Sequence, residues 1–139
     1  KVVPLGVADE LGLPWNDENN LPERLKEEVF IKRLEGPLFF GNTSDFQELA
    51  GAIPPTATHV IIRLGKVPYM DQSGLYAMEE ILLRLSRKNI KILFVNLQQQ
   101  PRVMMEGIDI VPDLVPEEQI FGSFPEVMKY IRTNVKDVV

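Results

Sequence analysis

Apolar residues in this chain gather in two ways, as short near-continuous runs and as stripes spaced three and four apart. Residues 29–35, Val-Phe-Ile-Lys-Arg-Leu-Glu, combine β-branched and aromatic side chains with partial alternation, the pattern of a strand. Gly36-Pro37 breaks that run, and residues 38–40, Leu-Phe-Phe, read as a second short strand antiparallel to the first. Ser44 and Gln47 have the spacing of a capping box, so a helix is expected over about 45–51 with Phe46, Leu49 and Ala50 on its apolar face. Residues 59–64 are almost continuously apolar, as in a strand covered on both faces. Leu75, Met78, Leu82 and Leu85 form a stripe at helical spacing, widened by Ile81, which predicts a helix over about 74–88 stopped at Asn89. Residues 90–97 are another buried strand, followed by a polar Gln98-Gln99-Gln100 loop and a short helix from Pro101 to Gly107. Residues 108–115, broken by Asp109, Pro112 and Asp113, read as a short edge strand. Ser123 caps a last helix whose apolar face is Phe124, Val127, Met128 and Ile131.

Strands alternating with short helices imply an α/β domain with largely parallel pairing among the later strands, and right-handed crossovers gather the connecting helices on one face. Residues 1–27 read instead as a connector. Pro4, Pro14 and Pro22, with Asn16, Asp17, Asn19 and Asn20, interrupt any long helix or central strand. Trp15, the only tryptophan, either lies against the domain surface or anchors a partner. Arg63 interrupts its strand and has two roles open to it, pairing with a carboxylate at the sheet edge or contacting an anion near the following turn.

The bulk properties narrow the function. A chain of 139 residues is sized for one domain with its own core, and 45% hydrophobic and 25% charged residues are ordinary globular values. Without cysteine there are neither disulfides nor thiolate metal sites. A net charge of −5 argues against nucleic acid as a partner. No apolar run reaches the roughly 18 residues of a membrane span. Because the chain begins at Lys1 rather than Met, it is expected to be a fragment of a longer protein.

Catalytic constellations are sparse, so no catalytic residue, metal site or cofactor is assigned. One histidine, His59, and no cysteine leave little room for His-centred nucleophilic or zinc mechanisms. There is no Walker or dinucleotide glycine motif, so nucleotide at the Ser73 turn has no phosphate-loop signature behind it. The most sharply defined stretch is Arg63 to Glu80, in which Asp71-Gln72-Ser73-Gly74 leads from a strand into a helix. Ser73 is read in two ways. As an N-cap it stabilises the helix by about 1 kcal/mol. As a phosphoacceptor or anion site, together with Asp71 and Gly74, it sits where backbone N–H groups and the helix dipole favour negative charge. Asp71 would repel a phosphate unless a cation intervened, and Lys66 or Arg102 are the candidates.

The run Ile-Ile-Arg-Leu-Gly-Lys-Val-Pro-Tyr-Met-Asp-Gln-Ser-Gly-Leu, residues 61–75, resembles the central motif of STAS domains. That fold is shared by bacterial anti-sigma-factor antagonists and the cytoplasmic tails of SulP anion transporters. The upstream Glu-Gly-Pro-Leu-Phe-Phe-Gly-Asn, residues 35–42, is similar to the SulP branch, as is the spacing of Arg63, Val67, Pro68, Asp71, Ser73 and Gly74. The resemblance spans about residues 28–137. It implies an α/β STAS-like single domain over 28–139, with a small mixed sheet of about four to five strands and helices packed largely on one side. It further implies a linker over 1–27 from an upstream membrane domain, and a non-catalytic regulatory or protein-interaction role on the cytoplasmic face of the bacterial inner membrane. The permease would carry sulfate, bicarbonate or a dicarboxylate. Implied partners are the membrane domain of its own polypeptide, a sister subunit and a cytoplasmic regulatory protein, with no nucleic acid. The alternative is a free-standing anti-sigma-factor antagonist controlled by phosphorylation of Ser73. Against that branch stand Arg63, where antagonists usually carry an acidic residue, and Gln72, where they usually carry serine.

Overall fold

In a computed structural model, which describes residues 15–18, 27–39 and 48–135, four strands form one sheet. They are β1 (Val29–Glu35), β2 (His59–Lys66), β3 (Lys91–Val95) and β4 (Ile120–Phe121), adjacent in chain order. All three pairings are parallel. The helices are α1 (Leu49–Ala52), α2 (Gln72–Arg87), α3 (Gln99–Gly107) and α4 (Phe124–Asn134), with a helical turn at Ile110–Leu114 between α3 and β4.

Alternation along the strands divides the core into two layers. Val60, Ile62 and Leu64 of β2 and Ile92 and Phe94 of β3 point to the face covered by α2, α3 and the 110–115 turn. Ile61, Leu93 and Val95 point to the other, covered by Phe124, Val127 and Ile131 of α4. The stripe read from the sequence is the buried face of α2, where Leu75, Met78, Ile81, Leu82 and Leu85 are almost inaccessible. The helices that make crossovers therefore share one face, as right-handed connection requires. Helix α4 follows the last strand, is bound by no crossover, and covers the opposite face.

Helix ends follow capping chemistry. Asn89, with φ 60°, turns the chain out of α2, and the N–H of Ile90 reaches back to the carbonyl of Leu85 at 3.0 Å. Ser123 Oγ accepts from the N–H of Glu126 at 3.4 Å and donates to its carboxylate at 2.9 Å, a reciprocal cap on α4.

Three expectations change. The antiparallel partner for β1 does not form, and Leu38 makes a single parallel bridge to Met70 instead. Gly36 donates its N–H to the carbonyl of Lys66 at 2.7 Å, which keeps the chain running beside the β2 exit, while Phe40, Gly41 and Asn42 lie outside the described residues. Residues 108–115 form no strand but an irregular turn at Ile110–Leu114 with Val111 extended, and the edge strand is Ile120–Phe121. Of the helix expected over 45–51, the cap and Phe46 lie outside the described residues, and α1 covers Leu49–Ala52.

Candidate functional site

The Asp-Gln-Ser-Gly turn is built around Asp71 rather than Ser73. Asp71 is extended, and its Oδ1 accepts the N–H of Gly74 at 2.9 Å, so the aspartate is the N-cap of α2. Ser73 is the second helical residue and half-buried. Gly74 is buried against residue 38, where a Cβ would stand 2.4 Å from the carbonyl oxygen of Leu38. That oxygen accepts the N–H of Asp71 at 3.1 Å, and the N–H of Leu38 bonds the carbonyl of Tyr69 at 2.9 Å. The two motifs that mark the family in the sequence thus pack on each other. From the other side, Gln100 holds both the N–H and the carbonyl of Met70, at 2.9 and 3.0 Å. Replacing Asp71 with alanine is expected to cost about 1 kcal/mol of stability. Ser73→Ala is expected to stay within about 0.5 kcal/mol. Urea unfolding of both variants checks this, and a larger loss at Ser73 would return the cap to the serine.

Arg63 shares the α4 face of β2 with Ile61 and is 3% exposed. Its register partner is Arg33 of β1, so two guanidinium groups lie side by side on adjacent strands. Like charges so placed repel, and the 15–18 segment supplies the counter-charge. Glu18, itself buried, bonds Arg33 at 2.6 to 3.0 Å and Arg63 at 2.8 Å. Asp17 holds both terminal nitrogens of Arg63 at 2.5 Å. The Arg63 guanidinium also lies between the rings of Trp15, 4.7 Å away, and Phe124, 4.4 Å away. Burial pulls the Arg63 pKa down, but the bonds to Asp17 and Glu18 outweigh it and push it above the ordinary value. The same bond to Arg63 holds the Asp17 carboxyl below the usual carboxylate range. Of the two roles open to Arg63, carboxylate pairing is the one realised, and Trp15 lies on the domain.

Beside this cluster is a cavity of about 830 Å³ at the carboxyl ends of β2, β3 and β4. Trp15, Asn16 and Asp17 form one wall, Leu97, Gln98 and Arg102 another. Asn96, with φ 58°, bonds the carbonyl of Gly122 through its side chain and that of Phe121 through its N–H, closing the floor. Lys66 lies over the Trp15 ring at 4.1 Å and pairs with Glu35 at 3.1 Å. Arg102 pairs with Glu117 at 2.8 Å and Glu106 at 3.5 Å, and the Glu117 bond raises its pKa.

The candidate site residues therefore fall into two groups. Asp71, Ser73 and Gly74 share the α2 N-terminus, whereas Lys66 and Arg102 line the cavity, which none of those three lines. His59 is hydrogen-bonded to Thr58 at 2.8 Å and meets Tyr130 edge-on, and its pKa is lowered by burial and by Lys91. Among the described residues no group of three His, Cys, Asp or Glu is placed to hold a metal, and no helix is long and apolar enough to cross a membrane. Glu18 and the roles of Asn96 and Gln98 carry no mark in the local sequence. The link from Glu18 to Arg63 spans 45 residues and has no local signature.

An open parallel sheet whose second strand runs through an aspartate-capped turn into α2 defines a small α/β domain of the STAS type. The chain belongs to the STAS domain family, which matches residues 22–127. Over 86 residues it is 33% identical to the putative sulfate transporter YvdB of Bacillus subtilis, a match covering 61% of this chain and 16% of that protein. The chain thus spans about a sixth of the length of this curated relative. The STAS domain of a SulP transporter from Vibrio cholerae is 27% identical, with a TM-score of 0.65 over 94% of this chain and 96% of that one. A sulfate transporter family protein from Wolinella succinogenes shares the fold, with a TM-score of 0.75 at 20% identity over 88% of this chain and 97% of that one.

Proposed function

We propose that this chain is the regulatory, non-catalytic STAS domain of a SulP-type anion permease, held at the cytoplasmic face of a bacterial inner membrane. The observation that carries this reading is the likeness to the Vibrio cholerae SulP STAS domain along nearly the whole length of both chains, at an identity above that of fold likeness alone. YvdB, of which this chain covers only 16%, supports attachment to a much longer polypeptide. In this reading residues 1–27 connect a membrane domain to the STAS domain over 28–139. Contact with that membrane domain, with a sister subunit or with a soluble regulator then transmits the domain's state to transport. The anion is of the sulfate, bicarbonate or dicarboxylate class.

The test is to read the coding region upstream of Lys1 and to fractionate the native protein. Roughly ten or more apolar segments of spanning length, with the protein in the membrane fraction, are expected. A start codon next to Lys1 and a soluble native protein would sink the transporter reading.

A further inference from the structure

We propose that the cavity at the carboxyl ends of β2, β3 and β4 binds a small organic polyanion, one that carries two or more carboxylate or phosphate groups. The crevice lies outside the carboxyl ends of three adjacent parallel strands. Its volume, about 830 Å³, lies within the range of small-molecule sites and exceeds what a lone inorganic oxyanion fills.

The charges in the lining favour an anion. Among the described lining residues Arg63, Lys66 and Arg102 are cationic and Asp17 is the one carboxylate; Asp17 and Glu18 both bond Arg63, so Lys66 and Arg102 are the cations offered to a ligand. Arg63 is almost wholly buried, and its Nε has no hydrogen-bond partner among the described residues. The N-terminus of α3 opens on the same space. Its cap residue, Gln98, makes no side-chain capping bond, and its first turn holds no acidic residue. The positive end of the helix dipole is therefore unneutralised there.

Lys66 and Arg102 are available to a ligand because their present partners hold them weakly. Lys66 and Glu35 are 53% and 32% exposed at the side chain, and Glu117 opposite Arg102 is 60% exposed. Exposed pairs of this kind contribute about 0–1 kcal/mol, so a ligand with two or more charges can replace Glu35 and Glu117. Trp15, Leu97 and Phe121 offer apolar surface to a carbon skeleton between the charged groups. The site rests on the geometry of this chain alone and stands whether or not a membrane domain is attached.

Trp15 is the only tryptophan and touches Lys66, so it reports occupancy directly. Citrate and pyrophosphate are titrated separately into the 139-residue chain at constant ionic strength. Occupancy is read by Trp15 fluorescence and by amide shifts of residues 97–102 and 120–122. At least one titrant is expected to saturate with a midpoint below about 10 mM, and Lys66→Gln and Arg102→Gln are each expected to raise that midpoint about tenfold. Whichever titrant saturates tells carboxylate from phosphate recognition. Both variants alter partly exposed side chains and are expected to melt within a few degrees of the parent. Failure of both titrants to saturate below that midpoint, or a midpoint that neither variant moves, overturns the site.

Discussion

Gly74→Ala is expected to destabilise the domain by about 3 kcal/mol, although alanine is the better helix former by up to about 1 kcal/mol. The added Cβ would stand 2.4 Å from the carbonyl oxygen of Leu38 and 3.0 Å from its Cβ. Neither neighbour can give way cheaply. The carbonyl is fixed by the N–H of Asp71, Leu38 is bridged to Met70, and the Leu38 side chain is fully buried. Relief requires residues 36–39 and the start of α2 to separate by about 1 Å, which opens the core where packing forces are steepest. Denaturant titration decides the matter through its sign. The midpoint should fall with the slope unchanged, and a gain in stability would mean that helix propensity, not the close approach, governs this position. Gly51, around which a Cβ meets nothing within 4 Å among the described residues, is the matched control.

The second large effect is expected at Glu18. Glu18→Ala removes the buried carboxylate shared by Arg33 and Arg63, leaving Asp17 to meet Arg63 beside a neighbouring guanidinium group. Breaking a buried pair in this way costs about 3–5 kcal/mol. The lower end applies here, because the 15–18 segment can lift away and let water reach the arginines. Asp17→Ala is expected to cost about 1 kcal/mol or less, since the Asp17 side chain is 46% exposed and its pair is correspondingly screened. Chemical unfolding gives the two losses, and Trp15 fluorescence should shift to the red in the Glu18 variant as the ring leaves Arg63. Equal losses at the two acids would refute the central place of Glu18.

The contrast between these residues shows which parts of the molecule were readable in advance. The α2 stripe, the strand over 59–64 and the Ser123 cap depend on neighbours within a few positions. Local periodicity and capping chemistry predict them closely. The α2 start was placed two residues late because Asp71 and Ser73 both suit an N-cap, and only the backbone turn decides between them. β4 escaped notice because two residues hold no period, whereas 108–115 attracted a strand reading through its apolar content. The site was least legible. Lys66 and Arg102 read in the sequence as cations for Ser73, yet they face a cavity whose walls come from four separate stretches, at residues 15–17, 63–66, 96–98 with Arg102, and 120–122. Such a space follows from the order in which parallel strands lie side by side, and no single stretch of sequence encodes it. Arg63 is visibly out of place in an apolar strand, but its acids lie on a proline-broken segment with no pattern of its own.

The way the 15–18 segment is fastened also has a mechanical meaning. A pull applied at Trp15 loads the Asp17 and Glu18 carboxylates bonded to Arg33 and Arg63, in the carboxyl-terminal halves of β1 and β2. Charge-assisted bonds of this kind are stiff over a few tenths of an ångström and then fail, whereas the parallel ladder behind them shares load along its length. A pull at Trp15 is therefore expected to detach the 15–18 segment while the parallel ladder of β1 and β2 keeps its register.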